Sequence, residues 1–100
     1  MTTSIAADWF VYMLECADGT FYTGITTDPV RRLAEHNGSA RGARYTRSRR
    51  PVTLCYHEQA ASRSAAGKRE WQLRRLSRAR KQALLHDAAK RGWTASAPLP

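Results

Sequence analysis

Glu70 stands where a carboxylate is costly. The helical pattern that begins after Ala61 puts Ala66, Glu70, Leu73 and Ser77 on one face, so Glu70 interrupts an apolar stripe. A lone carboxylate there needs a partner, either a structural arginine such as Arg69 or Arg74 or a bound cation. Residue types alone leave both open. The other acids have plainer duties: Asp18 sits in a turn, Asp28 caps a helix and Glu35 pairs locally, while Asp8, Glu58 and Asp87 fall at element ends or on exposed faces. Glu70 is therefore the best single candidate for a metal ligand. The lack of a second clustered carboxylate argues against a two-metal phosphodiesterase site.

Arg32 and His36, four residues apart, share a face of a helix expected over Pro29–Asn37, beside an apolar stripe of Val30, Leu33 and Ala34. Helix geometry alone reads them as a surface Arg32–Glu35 ion pair, worth well under about 1 kcal/mol, and a half-exposed histidine. Tyr12 and Tyr22 lie on two strands of one hairpin, where tyrosine ordinarily packs. Gly24 removes a side chain where backbone or a ligand approaches. Cys16 and Cys55, each in an expected strand, read as buried reduced thiols. His36, His57 and His86 show no zinc-ligand spacing.

The elements that must position these groups follow from the periodicity. Trp9 to Cys16 is a near-continuous apolar run, the mark of a strand covered on both faces. The Ala17-Asp18-Gly19-Thr20 turn leads into a second strand, Phe21 to Ile25. Asp28-Pro29 starts a helix and Asn37-Gly38 stops it. Ser39 to Arg50 is a polar loop with five arginines, closed by Pro51, and Val52 to His57 is a third strand. From Ala61 the pattern is helical, with a break or cap at Ser77 and a last helix carrying Leu84, Leu85 and Ala88. The expected architecture is an α+β domain over residues 9–92 with a small three-stranded, mainly antiparallel sheet flanked by helices, in the order β-β-α-β-α-α. Residues 1–8 and 93–100 read as loose tails.

Among 100 residues, 17 Lys and Arg face 8 Asp and Glu, a net charge of +9. That excess favours a polyanionic partner, because each phosphate neutralised releases condensed counterions. No apolar run approaches the roughly 18 residues needed to cross a bilayer. The N-terminal residues lack the basic and apolar regions of a signal peptide, so a cytoplasmic protein with no membrane association is expected.

The sequence resembles the GIY-YIG nuclease superfamily, in particular its short stand-alone bacterial members. The first triplet stands here as Val11-Tyr12-Met13 and the second as Tyr22-Thr23-Gly24, with the family's ten-residue step between the tyrosines. Arg32 follows Gly24 by eight residues, His36 lies one turn later, and Glu70 falls in a Lys-Arg-Glu-Trp stretch of a later helix. Ile25 stands where some relatives carry a basic residue, and no asparagine follows Asn37. The resemblance implies an endonuclease that hydrolyses phosphodiester bonds with one divalent ion, Mg²⁺ or Mn²⁺, held by Glu70. It implies that Arg32 binds the phosphate, that a tyrosinate from Tyr12 or Tyr22 is the base, and that His36 orients water or a tyrosine. Tyrosine ionises near 10 when unperturbed, so the ion and the arginine would have to lower it. Arg41, Arg44, Arg47, Arg49, Arg50, Arg74, Arg75, Arg78, Arg80 and Lys81 would track the nucleic-acid backbone, DNA ahead of RNA. A partner subunit supplying specificity is a further expectation.

Two other readings compete. One is a nucleic-acid-binding module that keeps the fold with little or no nuclease activity. The other is a basic RNA-binding or ribosome-associated protein, which accounts for the charge but not for Glu70 on an apolar stripe.

Overall fold

The computed structural model describes residues 8–38 and 41–90. Seven elements follow one another: β1 (Trp9–Glu15), β2 (Phe21–Thr26), α1 (Pro29–Gly38), α2 (Arg44–Arg47), β3 (Thr53–Ala60), α3 (Arg63–Arg74) and α4 (Arg78–Lys90). The strands form one three-stranded sheet in the order β2-β1-β3, antiparallel throughout. The expected tails lie outside the described residues, apart from Asp8.

β1 is apolar on both faces because it is the central strand and both faces are covered. Tyr12, Leu14 and Cys16 pack with Val52, Leu54 and Leu33 of α1 on one side. Val11 and Met13 pack with Ala66 and Leu73 of α3, and with Leu84 and Leu85 of α4, on the other. Alternation along one strand therefore sends Tyr12 towards α1 and its two neighbours towards α3. Cys16 is buried just past the end of β1, Cys55 is half-buried in β3, and both are free thiols.

The structure corrects the sequence reading in four places. The arginine-rich loop contains a short helix, α2, which the charge pattern concealed. The buried face of α1 is not the expected Val30–Leu33–Ala34 stripe: Val30 is 61% exposed and Ala34 is exposed. Pro29, Leu33 and His36 face the sheet instead, so the histidine is fully buried rather than half-exposed. Glu58 does not sit at an element end. It lies within β3, which runs to Ala60, and takes hydrogen bonds from Arg69 at 2.5 Å and Tyr56 at 2.7 Å.

Asp28 and Ser77 cap helices as the sequence indicated, and Ser62 does so as well. Asp28 accepts from the Arg31 amide at 3.1 Å at the start of α1, Ser62 from Ala65 at 3.0 Å for α3, and Ser77 from Arg80 at 3.2 Å for α4. Asn37 ties the end of α1 to β3 with a reciprocal pair, accepting from Val52 N at 2.7 Å and donating to Val52 O at 2.8 Å.

Candidate functional site

Tyr12 and Gly24 are directly opposed across the β1–β2 ladder. The tyrosine ring lies over the glycine: a Cβ on Gly24 would sit 2.6 Å from the Tyr12 hydroxyl and 2.8 Å from its Cζ. Only a residue without a side chain lets that ring cross the neighbouring strand. What approaches Gly24 is the side chain of Tyr12, not the backbone or ligand expected from the sequence.

The Tyr12 hydroxyl then meets His36 Nε2 at 2.8 Å, and His36 Nδ1 meets the Thr46 hydroxyl at 2.8 Å. All three residues are at most 1% exposed. Burial, with Arg32 and Arg50 adding their positive charge, pushes the His36 pKa down to about 4, so the ring is neutral at ordinary pH. Burial and the neighbouring Tyr22 push the Tyr12 pKa up to about 12, against the lowering that the Arg32 guanidinium supplies. The protein surroundings alone therefore do not make Tyr12 a tyrosinate.

Arg32 is fixed from two sides, donating to Glu35 at 3.0 Å and to the Arg41 carbonyl at 2.6 Å. Burial disfavours its charge, but the bonds to Glu35 and Tyr12 outweigh that and raise its pKa. The expected Arg32–Glu35 pair is present, and it orients the guanidinium rather than merely decorating the surface.

Tyr22 stacks in a column of rings. Its centroid lies 5.1 Å from that of His36 and 6.0 Å from that of Tyr45, with Tyr45 inclined by 28°. Arg49 covers Tyr45 at 3.9 Å and is held in turn by Asp18 at 3.1 Å.

These groups border one cleft of about 580 Å³. It follows β2, the edge strand, and takes side chains from both sides of the sheet. Tyr12, Tyr22, Arg32 and Tyr45 come from the α1 side, and Phe21, Thr23, Ile25, Glu70, Arg74 and Lys81 from the α3 and α4 side. Glu70 keeps 19% of its side chain exposed and pairs with Arg74 at 3.4 Å, one of the two arginines expected near it. Arg69, the other candidate, is committed to Glu58. Thr23, which also lines the cleft, is only 6% exposed and its hydroxyl has no hydrogen-bond partner among the described residues.

Of the residues singled out from the sequence, Tyr12, Tyr22, Arg32, Glu70, Arg74 and Lys81 meet at the cleft, and His36 stands directly behind Tyr12. Arg41, Arg44, Arg47, Arg49, Arg50 and Arg78 do not line it. Among them, Arg49 is held as described, Arg50 donates to the His36 carbonyl at 2.5 Å and Arg78 to the Gly19 carbonyl at 2.7 Å. Thr23, Tyr45 and Thr46 were missed. The last two lie in the stretch that reads as a charged loop, where the arginines drown any other signal.

A family model described as the GIY-YIG catalytic domain matches residues 8–83. The chain belongs to the GIY-YIG family. A UPF0213 protein of Desulfotalea psychrophila is 58% identical over 87 residues, covering 87% of this chain and 78% of that one. A UPF0213 protein of Halobacterium salinarum is 57% identical over 74 residues, covering 74% and 95%. The solution NMR structure of a protein from E. faecalis superposes with a TM-score of 0.56 at 42% identity, covering 87% of this chain and 90% of the other. That of a UPF0213 protein from Bacillus halodurans gives 0.51 at the same identity, covering 79% and 83%. The GIY-YIG domain places this chain in a nuclease family, and its three-stranded antiparallel α+β fold is that of these relatives. No described helix of this GIY-YIG protein is long and apolar enough to cross a membrane.

Proposed function

We propose that this GIY-YIG protein is an endonuclease that hydrolyses phosphodiester bonds of nucleic acid, DNA ahead of RNA, with one divalent cation. The observation that carries the reading is the meeting of Tyr12, Tyr22, Arg32 and Glu70 around one cleft in a strongly basic chain. Among the described residues no three His, Cys, Asp or Glu side chains come together as a metal cage. Glu70 therefore fits a hard ion that keeps most of its water, such as Mg²⁺ or Mn²⁺, and the unpartnered Thr23 hydroxyl fits a hydrogen bond to that hydrated group. When bound, the ion would supply Lewis-acid polarisation of a phosphate oxygen.

The chain's own residues do the rest. Arg32, aimed by Glu35 and the Arg41 carbonyl, holds a phosphate and stabilises the charge that grows on it. Tyr12 presents its oxygen to the cleft with His36 bonded behind it, and takes up the proton of an attacking water once it is ionised. Arg74 must release Glu70 when the cation enters, and its 61% exposed side chain is free to swing to phosphate. Cys16 and Cys55 as free thiols fit a cytoplasmic setting.

A binding module without nuclease activity is the second reading, favoured by the Arg74–Glu70 pair and the raised Tyr12 pKa. Labelled single-stranded, double-stranded and branched DNA, and RNA, incubated with Mg²⁺, Mn²⁺ or EDTA beside Glu70→Gln, separate the two. Metal-dependent cleavage that Glu70→Gln abolishes, with salt-sensitive binding retained, is the expected result. Binding without cleavage on every substrate selects the second reading.

A further inference from the structure

Among the described residues the His36 ring makes three hydrogen bonds, and their donors decide which ring nitrogen carries the proton. Nδ1 faces the Thr46 hydroxyl at 2.8 Å and the Ala43 amide at 3.3 Å. An amide N–H can only donate, so its bond to Nδ1 requires that nitrogen to be an acceptor. Among the described residues the Thr46 hydroxyl also donates to the Ala43 carbonyl at 2.9 Å. That carbonyl already takes the backbone amides of Thr46 at 3.1 Å and Arg47 at 3.2 Å. With Nδ1 an acceptor, only the Thr46 hydroxyl can supply the hydrogen of their 2.8 Å contact, and it shares that hydrogen with the Ala43 carbonyl. Nε2 keeps its hydrogen and donates it to the Tyr12 oxygen.

We infer that the Ala43 amide and the Thr46 hydroxyl lock His36 as the Nε2–H tautomer, which makes Thr46 a positioning residue for Tyr12. With His36 donating from behind, the hydrogen of Tyr12 itself is barred from the histidine and turns into the cleft. Tyr12 then offers the cleft an oxygen already supported by two donors, His36 and Arg32. The device is built by the Gly42–Thr46 segment pressing onto α1: a Cβ on Gly42 would lie 2.7 Å from the Glu35 carbonyl and 2.9 Å from His36 Cα. His36 and Thr46 are both 0% exposed, so solvent does not substitute for either group.

The tautomer follows from hydrogen bonding alone, whereas its role in catalysis rests on the nuclease reading. Long-range ¹H–¹⁵N correlation of the histidine rings tests the first part on the wild-type protein at pH 7. A protonated Nε2 and a bare Nδ1 at His36 are expected, and a hydrogen on Nδ1 overturns the inference whatever the activity. Thr46→Val leaves the Ala43 amide on Nδ1, so the tautomer should persist while the Nδ1 ¹⁵N resonance shifts through the loss of one donor. Its kcat should fall by roughly 10- to 100-fold with KM little changed. Thr46→Ser should restore both the spectrum and most of the rate. A Thr46→Val enzyme that is as fast as wild type overturns the positioning role. If wild-type protein cleaves nothing, the nuclease reading fails while the ring spectrum still decides the tautomer.

Discussion

His36 is a basic side chain that the fold keeps neutral. Its ring is 0% exposed, and burial with Arg32 and Arg50 nearby lowers its pKa from 6.5 to about 4. Between those values the unfolded chain binds a proton that the folded chain refuses, so acid favours unfolding. Stability is unaffected above about pH 6.5 and declines as pH falls towards 4, where the loss reaches roughly 3 kcal/mol. His57, also lowered by burial, acts in the same direction. Urea unfolding at pH 7.5 and 4.5 measures the loss in wild type and in His36→Gln. The variant, with nothing to protonate at this site, should lose distinctly less over the interval. Equal losses would assign the acid sensitivity to other groups.

At the scale of elements, the β1–β2 hairpin sets the Tyr12 ring, and Gly24 is its critical point. Gly24→Ala places a methyl 2.6 Å from a hydroxyl that is pinned by His36, so the ring cannot simply swing aside. Overpacking of this kind costs about 1–3 kcal/mol, to be read as a lower urea midpoint, and nuclease activity should fall with it. A variant as stable as wild type would mean that β2 gives way instead. The hairpin was legible in the sequence because β1 is apolar on both faces and turn residues sit at fixed offsets. Tyr12, Tyr22, Arg32 and Glu70 were legible as a set through their order and spacing. What was not legible had a common cause: a polar or charged residue used internally. His36 takes an apolar position on α1, displacing Val30 to solvent, because its two ring nitrogens find partners on Tyr12 and Thr46. α2 was hidden because Arg44 and Arg47 read as loop charge, and Thr46 between them gave no apolar period. Glu58 is retained in β3 by Arg69, a pairing eleven residues away that no helix or strand period reports.

Across the whole molecule, the cations fall into two groups with different duties. Arg49, Arg50 and Arg78 spend their guanidinium groups on Asp18, on the last turn of α1 and on the β1–β2 turn. Arg44 is exposed on α2, and Lys81 borders the cleft from α4. A net charge of +9 therefore overstates the number of cations that can meet phosphates. Counterion release makes the distinction measurable, since each phosphate contact on duplex DNA contributes about 0.9 to the slope of log K against log salt. Arg44→Ala or Lys81→Ala should lower that slope by nearly one unit while leaving thermal stability unchanged. Arg50→Gln should do the reverse, because Arg50 donates to carbonyls at the end of α1, and a charged hydrogen bond of this kind is worth about 1.5–3 kcal/mol. Fluorescence anisotropy titrations across a salt series, run beside thermal melts, separate the two groups. An Arg50→Gln protein that melts like wild type and binds with a reduced slope would move Arg50 from the scaffold to the nucleic-acid surface.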